Sequence, residues 1–124
     1  IALFQNRVKR GNEVLRRVTS VQEIEGYSKE MGGVVTREAF YWDPVEDELV
    51  FQGRNNSYIM EEKIATLLGY DDTRKIYDDI EFRAEIIRRA IQENIVGYHE
   101  VNEFIEDFQR DGTEVLPFDV TRVE

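Results

Sequence analysis

Residues 13–26, EVLRRVTSVQEIEG, form the stretch that decides the fold. Aliphatic and β-branched side chains recur through it and no proline interrupts it, which predicts one long β-strand. The alternation is imperfect, because each face of this strand combines aliphatic side chains with one arginine, Arg16 or Arg17. A strand of this kind needs cover on both faces. We therefore expect the chain to be a fragment of a larger protein, with part of the cover supplied from outside it.

Four strands are predicted in the first 53 residues, arranged as two antiparallel hairpins. A Gly-Asn pair suits the four-residue loop of the first hairpin, and Pro44 suits the second position of the turn in the second. The apolar run IALF at positions 1–4 is typical of a strand with neighbours on both sides. The predicted strands cover residues 1–8, 13–26, 34–42 and 48–52.

Three amphipathic helices are predicted after Gly53, because the apolar period changes there from two to about 3.6. Ser57 is the expected N-cap of the first helix, and Gly69 is expected to end it. The helices are predicted at residues 57–68, 72–94 and 98–109. Their expected inward side chains are Met60, Ile64, Leu67, Ile76, Ile80, Ile87, Phe104 and Ile105.

The predicted fold class is α+β, a small antiparallel sheet of two hairpins followed by a three-helix bundle. A chain of 124 residues is long enough for one domain with a modest core. Within that single domain we expect a β part at residues 1–53, a helical part at residues 54–112 and an extended tail at residues 113–124.

The chain is strongly acidic, with 26 acids against 16 basic residues and a net charge of −10. This charge repels phosphate backbones and anionic lipids, so we expect no nucleic-acid partner. Twelve of the basic residues are arginine and four are lysine, a balance that favours a halophile over the alternative, an ordinary acidic domain. Without cysteine or a run of about 20 apolar residues, the sequence predicts a cytoplasmic chain that does not insert into a membrane.

No catalytic, cofactor-binding or metal-binding residue is predicted. The sequence has no Gly-x-x-x-x-Gly-Lys-Ser/Thr loop to hold a triphosphate, so the chain alone is not expected to hydrolyse ATP. His99, the only histidine, is interpreted as a solvent-facing helix residue rather than a zinc ligand. The acids of residues 43–48 indicate a turn or a weak cation site, and those of residues 103–107 indicate a solvated face or an acid/base pair.

Five arginines are the candidate interface residues. Arg16 and Arg17 point to opposite faces, so each is expected to bind a carboxylate or a phosphate on its own side. The alternative is that both form structural ion pairs, for which the candidate partners are Glu13, Glu23 and Glu38. The other three candidates, Arg83, Arg88 and Arg89, predict a docking patch on the second helix or ordinary pairs such as Asp79–Arg83 and Glu85–Arg89.

Several of these segments, in order and spacing, resemble the end of the motor domain of archaeal type II/IV secretion and archaellum ATPases. The likeness extends from about Arg7 to about Phe108. The segments that carry it are Gly11-Asn12-Glu13, Arg16-Arg17-Val18-Thr19, Val21, Glu23-Ile24, the aromatic-x-Trp-Asp-Pro segment at residues 39–44, the glycine stop at residues 65–69, Arg83 and Ile86-Ile87.

The resemblance implies a C-terminal part that serves assembly and force transmission. In that family the phosphate loop, the magnesium-binding acid and the histidine segment lie upstream, so ATP and magnesium would be bound elsewhere in the parent protein. The implied partners are neighbouring subunits of a homo-hexamer and a membrane platform protein, at the inner face of the membrane, with Arg16 and Arg17 close to subunit contacts. The alternative function is a free-standing acidic adaptor that binds a protein through its helices.

Overall fold

The structure is a computed structural model that describes residues 1–120, and its fold is α+β, as predicted. A four-stranded antiparallel sheet comes first and helices follow it. The strands lie in the order β1-β2-β3-β4, so each hairpin predicted from the sequence is present. Their bounds are β1 Ala2–Arg10, β2 Glu13–Ser28, β3 Gly33–Asp43 and β4 Glu48–Phe51.

β2 is the long strand expected from the sequence, and it pairs with β1 along its first part and with β3 along its second. The first hairpin is tighter than predicted. Arg10 pairs directly with Glu13, so the turn contains two residues instead of four. Gly11 adopts φ +61, a left-handed conformation that glycine takes without steric cost, and this permits the short turn.

β2 contains two β-bulges, and both lie beyond the mixed faces of residues 14–18. The pairing shifts between Phe4 and Gln5 of β1, which leaves Thr19 as an extra residue in β2. Two shifts occur opposite β3. One leaves Ala39 as an extra residue in β3, and the other leaves Glu25 as an extra residue in β2. Because an extra residue reverses the alternation beyond it, a period of two holds only within each segment of the strand.

β1 is an edge strand, and its apolar N-terminal half is exposed among the described residues. Leu3 is 60% exposed and Phe4 is 49% exposed. Neighbours on both sides were expected from the IALF run, but the described part of the chain supplies β2 alone. An edge strand with exposed apolar side chains presents free backbone groups to other strands.

The core of the sheet region is aromatic. Phe40 and Phe51 are cross-strand partners with ring centroids 4.7 Å apart, and Phe51 lies 6.1 Å from the ring of Tyr77. Tyr77 is 2% exposed and Ala65 is completely buried, so the segment after the sheet closes over these rings.

The prediction of a three-helix bundle is wrong in its helix count. Only two long helices are present in the described residues, α1 Ile76–Gln92 and α2 Tyr98–Asp111. The first predicted helix is a short π-helix, Ile59–Ala65. Between its cap at Ser57 and the left-handed Gly69 (φ +78) there is room for only a few turns, over which a 3.6-residue period does not distinguish a π-helix from an α-helix.

The predicted inward face of the helices is also partly wrong. In the second half of α1, Ile86 is 3% exposed whereas Ile87 is 57% exposed, so the buried line there lies one residue from the predicted one. One residue corresponds to 100° around a helix, and adjacent isoleucines give both lines a helical period. The predicted core residues that are exposed are Ile64, Leu67, Ile87 and Ile105.

The chain divides into two compact units, Ile1–Tyr77 and a second that begins at Asp78. The division lies at the start of α1, rather than at residue 53, because Ala65 and Tyr77 are packed within the first unit. The first residues of the predicted extended tail belong to a 3-10 turn, Gly112–Val115, which follows α2 directly. Residues 121–124 of the predicted tail lie outside the described residues. In residues 1–120, no helix combines the length and the apolar character needed to cross a bilayer.

Candidate interaction surfaces

Arg17 forms a bidentate ion pair with Asp47, in the turn between β3 and β4. Its Nε donates to Oδ1 at 2.8 Å and its Nη2 donates to Oδ2 at 2.9 Å. The indole N–H of Trp42 also donates to Oδ1, at 2.9 Å. The hydrogen bonds from Arg17 and then from Trp42 hold the pKa of Asp47 well below its usual value. Arg17 therefore has a structural partner, which is none of the three glutamates considered from the sequence.

The rest of the acidic turn also serves backbone geometry. The Oδ1 of Asp43 accepts a hydrogen bond from the backbone N–H of Val45 at 2.9 Å, which is an Asx-turn. Arg10 of β1 donates to the carbonyl oxygen of Pro44 at 2.6 Å. Within residues 1–120, no three histidine, aspartate or glutamate side chains are grouped so that they could hold a metal ion. The turn chemistry expected here is present.

Arg16 has a different environment from Arg17. It is exposed and lies directly opposite Arg7 in the register of the first hairpin, while Lys9 lies opposite Val14. Cross-strand partners and residues two apart share a face, so three cations lie together. We call Arg7, Lys9 and Arg16 the basic face. None of the three forms an ion pair with any described residue, and Arg7 and Arg16 line an open depression of about 270 Å³.

Arg83, the first of the helical candidates, is engaged in two contacts. Its Nε donates to Oδ2 of Asp79 at 2.9 Å, the i, i+4 pair predicted from the sequence. Its guanidinium also lies 5.7 Å from the ring centroid of Phe108, within cation–π range. The contact with Phe108 joins α1 to α2 and gives Arg83 a packing role.

Arg88 and Arg89 differ in exposure and in partner. The predicted Glu85–Arg89 pair is replaced by Arg88–Glu85, with Nη1 and Oε2 2.6 Å apart. Arg89 lies 3.9 Å from Glu93, too far for a strong hydrogen bond, and its guanidinium lies 5.4 Å from the ring of Phe118. The Arg88 side chain is 60% exposed, so it is the more accessible member of the predicted docking patch.

Glu23 is a buried carboxylate whose role the sequence did not indicate. It is 4% exposed, and its Oε1 accepts hydrogen bonds from the Ser57 hydroxyl and from the backbone N–H of Ile59 at 3.0 Å. Ser57 Oγ in turn accepts from the N–H of Met60 at 3.1 Å, which confirms the predicted cap. A strand residue thus completes the N-terminal cap of the π-helix. Glu23 and Ser57 are 34 positions apart in the sequence, so this role is evident only from the fold.

Tyr77 extends this network. The backbone N–H of Ser57 donates to the Tyr77 oxygen at 2.9 Å, and the Tyr77 hydroxyl donates to Oε2 of Glu61. Burial and the bond to Glu61 raise the pKa of the Tyr77 phenol. Oε2 of Glu23 has no hydrogen-bond partner among the described residues. We call Glu23, Ser57, Glu61 and Tyr77 the Glu23 network; it fastens the π-helix to β2.

The outer face of α2 carries unpaired acids. Glu100, Glu103 and Glu106 recur every third residue, all are exposed, and none forms an ion pair with a described residue. We call these three the acidic stripe. Asp107, the fourth acid of this region, is paired with Arg110 at 2.6 Å. His99 is also exposed and packs edge-on against Tyr98, as expected for a solvent-facing residue.

Two archaeal proteins of Methanocaldococcus jannaschii are similar to this chain. The uncharacterized protein MJ0900 is 51% identical over 120 residues, which are 97% of this chain and 22% of that protein. The uncharacterized protein MJ1287 is 30% identical over 74 residues, which are 60% of this chain and 26% of that protein. The chain therefore spans about a quarter or less of the curated relatives it matches. No protein-family model matches it.

Proposed function

We propose that this chain is the C-terminal assembly and force-transmission part of an archaeal secretion-system ATPase. Its parent would form a homo-hexamer, hydrolyse ATP with magnesium at sites outside this chain, and act on a membrane platform protein from the cytoplasmic face. The proposal rests on the resemblance of the segments at residues 16–19 and 39–44 to that family. The archaeal origin and greater length of the relatives agree with it.

One observation carries the proposal furthest: the resembling segments meet in space. Arg17 belongs to the first segment and Trp42 to the second, and both donate hydrogen bonds to Asp47. Pro44, also in the second segment, accepts a hydrogen bond from Arg10. Residues that are far apart in the sequence but close in the fold form one structural unit. A resemblance that includes such a unit is more specific than separate short matches.

The proposed role is mechanical. The Glu23 network fixes the π-helix to β2 through the buried Ser57 and Tyr77, so this helix follows any displacement of the strand. The Arg17–Asp47 pair fixes the β3–β4 turn to the same strand. Movement of β2 would thus be passed to two peripheral elements with little lost to local bending, since closely packed interiors transmit strain.

Among the helical candidates, Arg88 is the one suited to contact a partner. It is exposed, and its ion-pair partner among the described residues is Glu85. This i, i+3 pair contributes about 0.2–0.5 kcal/mol and is readily exchanged for another carboxylate. Arg83 and Arg89 contact aromatic rings, so their replacement would alter packing as well as charge. Arg88 therefore gives the cleaner test.

The test is Arg88→Glu in the parent protein, with Arg110→Glu as the matched control on α2. We expect Arg88→Glu to retain folding and nucleotide binding by single subunits, and to lower hexamer formation, stimulated hydrolysis and transport several-fold. Circular dichroism measures folding and sedimentation measures hexamer formation. Separate assays measure nucleotide binding, stimulated hydrolysis and transport. Normal values for all three functions would remove Arg88 from the interface. A parent protein that neither binds nor hydrolyses ATP would overturn the motor proposal and favour the acidic adaptor.

A further inference from the structure

The basic face is an anomaly in a chain with a net charge of −10. Arg7 and Arg16 are direct cross-strand partners, and like charges in that position repel each other. Elsewhere in the described residues most exposed arginines have a carboxylate at hand, as Arg88 and Arg110 do. An anion bound between the two guanidinium groups would relieve this repulsion.

The acidic stripe is the complementary anomaly. Glu100, Glu103 and Glu106 repel one another along one side of α2, and none has a cation partner among the described residues. The stripe spans about 9 Å, from a rise of about 1.5 Å per residue in an α-helix. Residues two apart on a strand lie about 7 Å apart, so the two surfaces have similar lengths.

We propose that the basic face of one copy of this chain docks against the acidic stripe of a second copy. Charge complementarity favours a second copy as the occupant, because the acidic stripe has a matching span and forms no ion pair with a described residue. Arginine binds carboxylates through paired hydrogen bonds, which favours a defined geometry. Val14, which is 50% exposed and pairs with Lys9, adds an apolar margin to the contact.

A contact of this kind joins two different surfaces, the basic face and the acidic stripe. Every copy of the chain carries both surfaces. Such heterologous contacts propagate from copy to copy and give a closed ring or an open filament. The contact deepens the proposed assembly role and rests on it for its biological meaning, but the contact itself can be measured on the chain alone.

The experiment exchanges the charges. One variant carries Arg7→Glu and Arg16→Glu, and the other carries Glu100→Arg and Glu103→Arg. Each alone presents like charges at the contact, so its self-association, measured by sedimentation velocity on the complete chain, should be at least tenfold weaker than that of the wild type. An equimolar mixture restores opposite charges at every contact, so association should return. The wild-type association should also weaken as salt is raised.

The outcomes separate the possibilities. Recovery in the mixture supports the contact, and circular dichroism establishes that both variants are folded. Variants that associate as the wild type does, or a mixture that does not recover, would overturn the contact while leaving the proposed motor function untouched. Loss of binding to a phosphate polymer by the Arg7→Glu, Arg16→Glu variant, with self-association intact, would assign the basic face to a different anion. A wild type that never associates, alone or within its parent, would overturn both proposals.

Discussion

At the scale of single residues, Glu23 and Asp47 show how carboxylates fasten neighbouring elements to one strand. Glu23 is a strand residue whose carboxylate accepts a hydrogen bond from the first turn of the π-helix. Asp47 accepts hydrogen bonds from Arg17 of β2 and from Trp42 of β3. Both lie in segments whose sequence predicts only a strand and a turn. Their partners depend on tertiary contact, which a local pattern does not encode.

Replacing Glu23 tests the network. Glu23→Ala leaves the Ser57 hydroxyl and the Ile59 N–H without their acceptor in a buried site, which should lower the free energy of unfolding by about 1–3 kcal/mol. Urea denaturation measures the loss. The matched control is Glu13→Ala, at an exposed position on the same strand, which should change stability by less than about 0.5 kcal/mol. Equal effects for the two variants would show that the network does not stabilise the fold.

The Arg17–Asp47 pair should make stability depend on acid pH. Because the folded-state pKa of Asp47 lies below its ordinary 3.8, the pair contributes stability above that value and loses it as the pH falls towards the folded-state pKa. Asp47→Asn should therefore be less stable than the wild type at about pH 5, and the difference should narrow below about pH 4. Denaturation at a series of pH values measures the difference. A gap that stays constant down to pH 2 would contradict this assignment.

At the scale of elements, the strands were predictable and the helical faces were only partly so. The β-branched run of β2 and the turn at Pro44 are local signals, so both hairpins followed from the sequence. The π-helix and the inward line of α1 did not, because neighbouring apolar positions such as Ile86 and Ile87 carry the same helical period. Of the candidate arginines, Arg88 could be expected from the sequence to be exposed. The position of Arg16 opposite Arg7 could not, because it depends on the exact register of the first hairpin.

Adjacent isoleucines provide a direct test of the helical face. Ile86→Ala should destabilise the chain by about 2–5 kcal/mol, since it creates a cavity at a site that is 3% exposed. Ile87→Ala, at a site that is 57% exposed, should cost less than about 1 kcal/mol. Thermal and urea unfolding of the two variants compare the same chemical change in the same helix. A larger loss at Ile87 would restore the face predicted from the sequence.

At the scale of the whole molecule, the excess of acids should make stability rise with salt. Ten uncompensated negative charges repel in the compact state, and the screening length falls from about 10 Å at 0.1 M to about 3 Å at 1 M. We expect the melting temperature to rise by several degrees between about 0.1 M and about 2 M potassium chloride. Calorimetry at matched pH measures it, with sorbitol as a control for water activity. An unchanged melting temperature would count against adaptation to high salt.

The two bulges of β2 have a consequence for how this chain can vary in length. Thr19 has no pairing partner in β1, and Glu25 has none in β3. Deleting either residue would therefore leave the strand pairs before and after it in one continuous register, with each side chain on its present face. Deleting Val21 instead would displace everything beyond it, including Glu23, to the opposite side of the sheet. Insertions and deletions that separate this chain from its relatives should accordingly concentrate at Thr19 and Glu25, leaving the intervening segment constant in length.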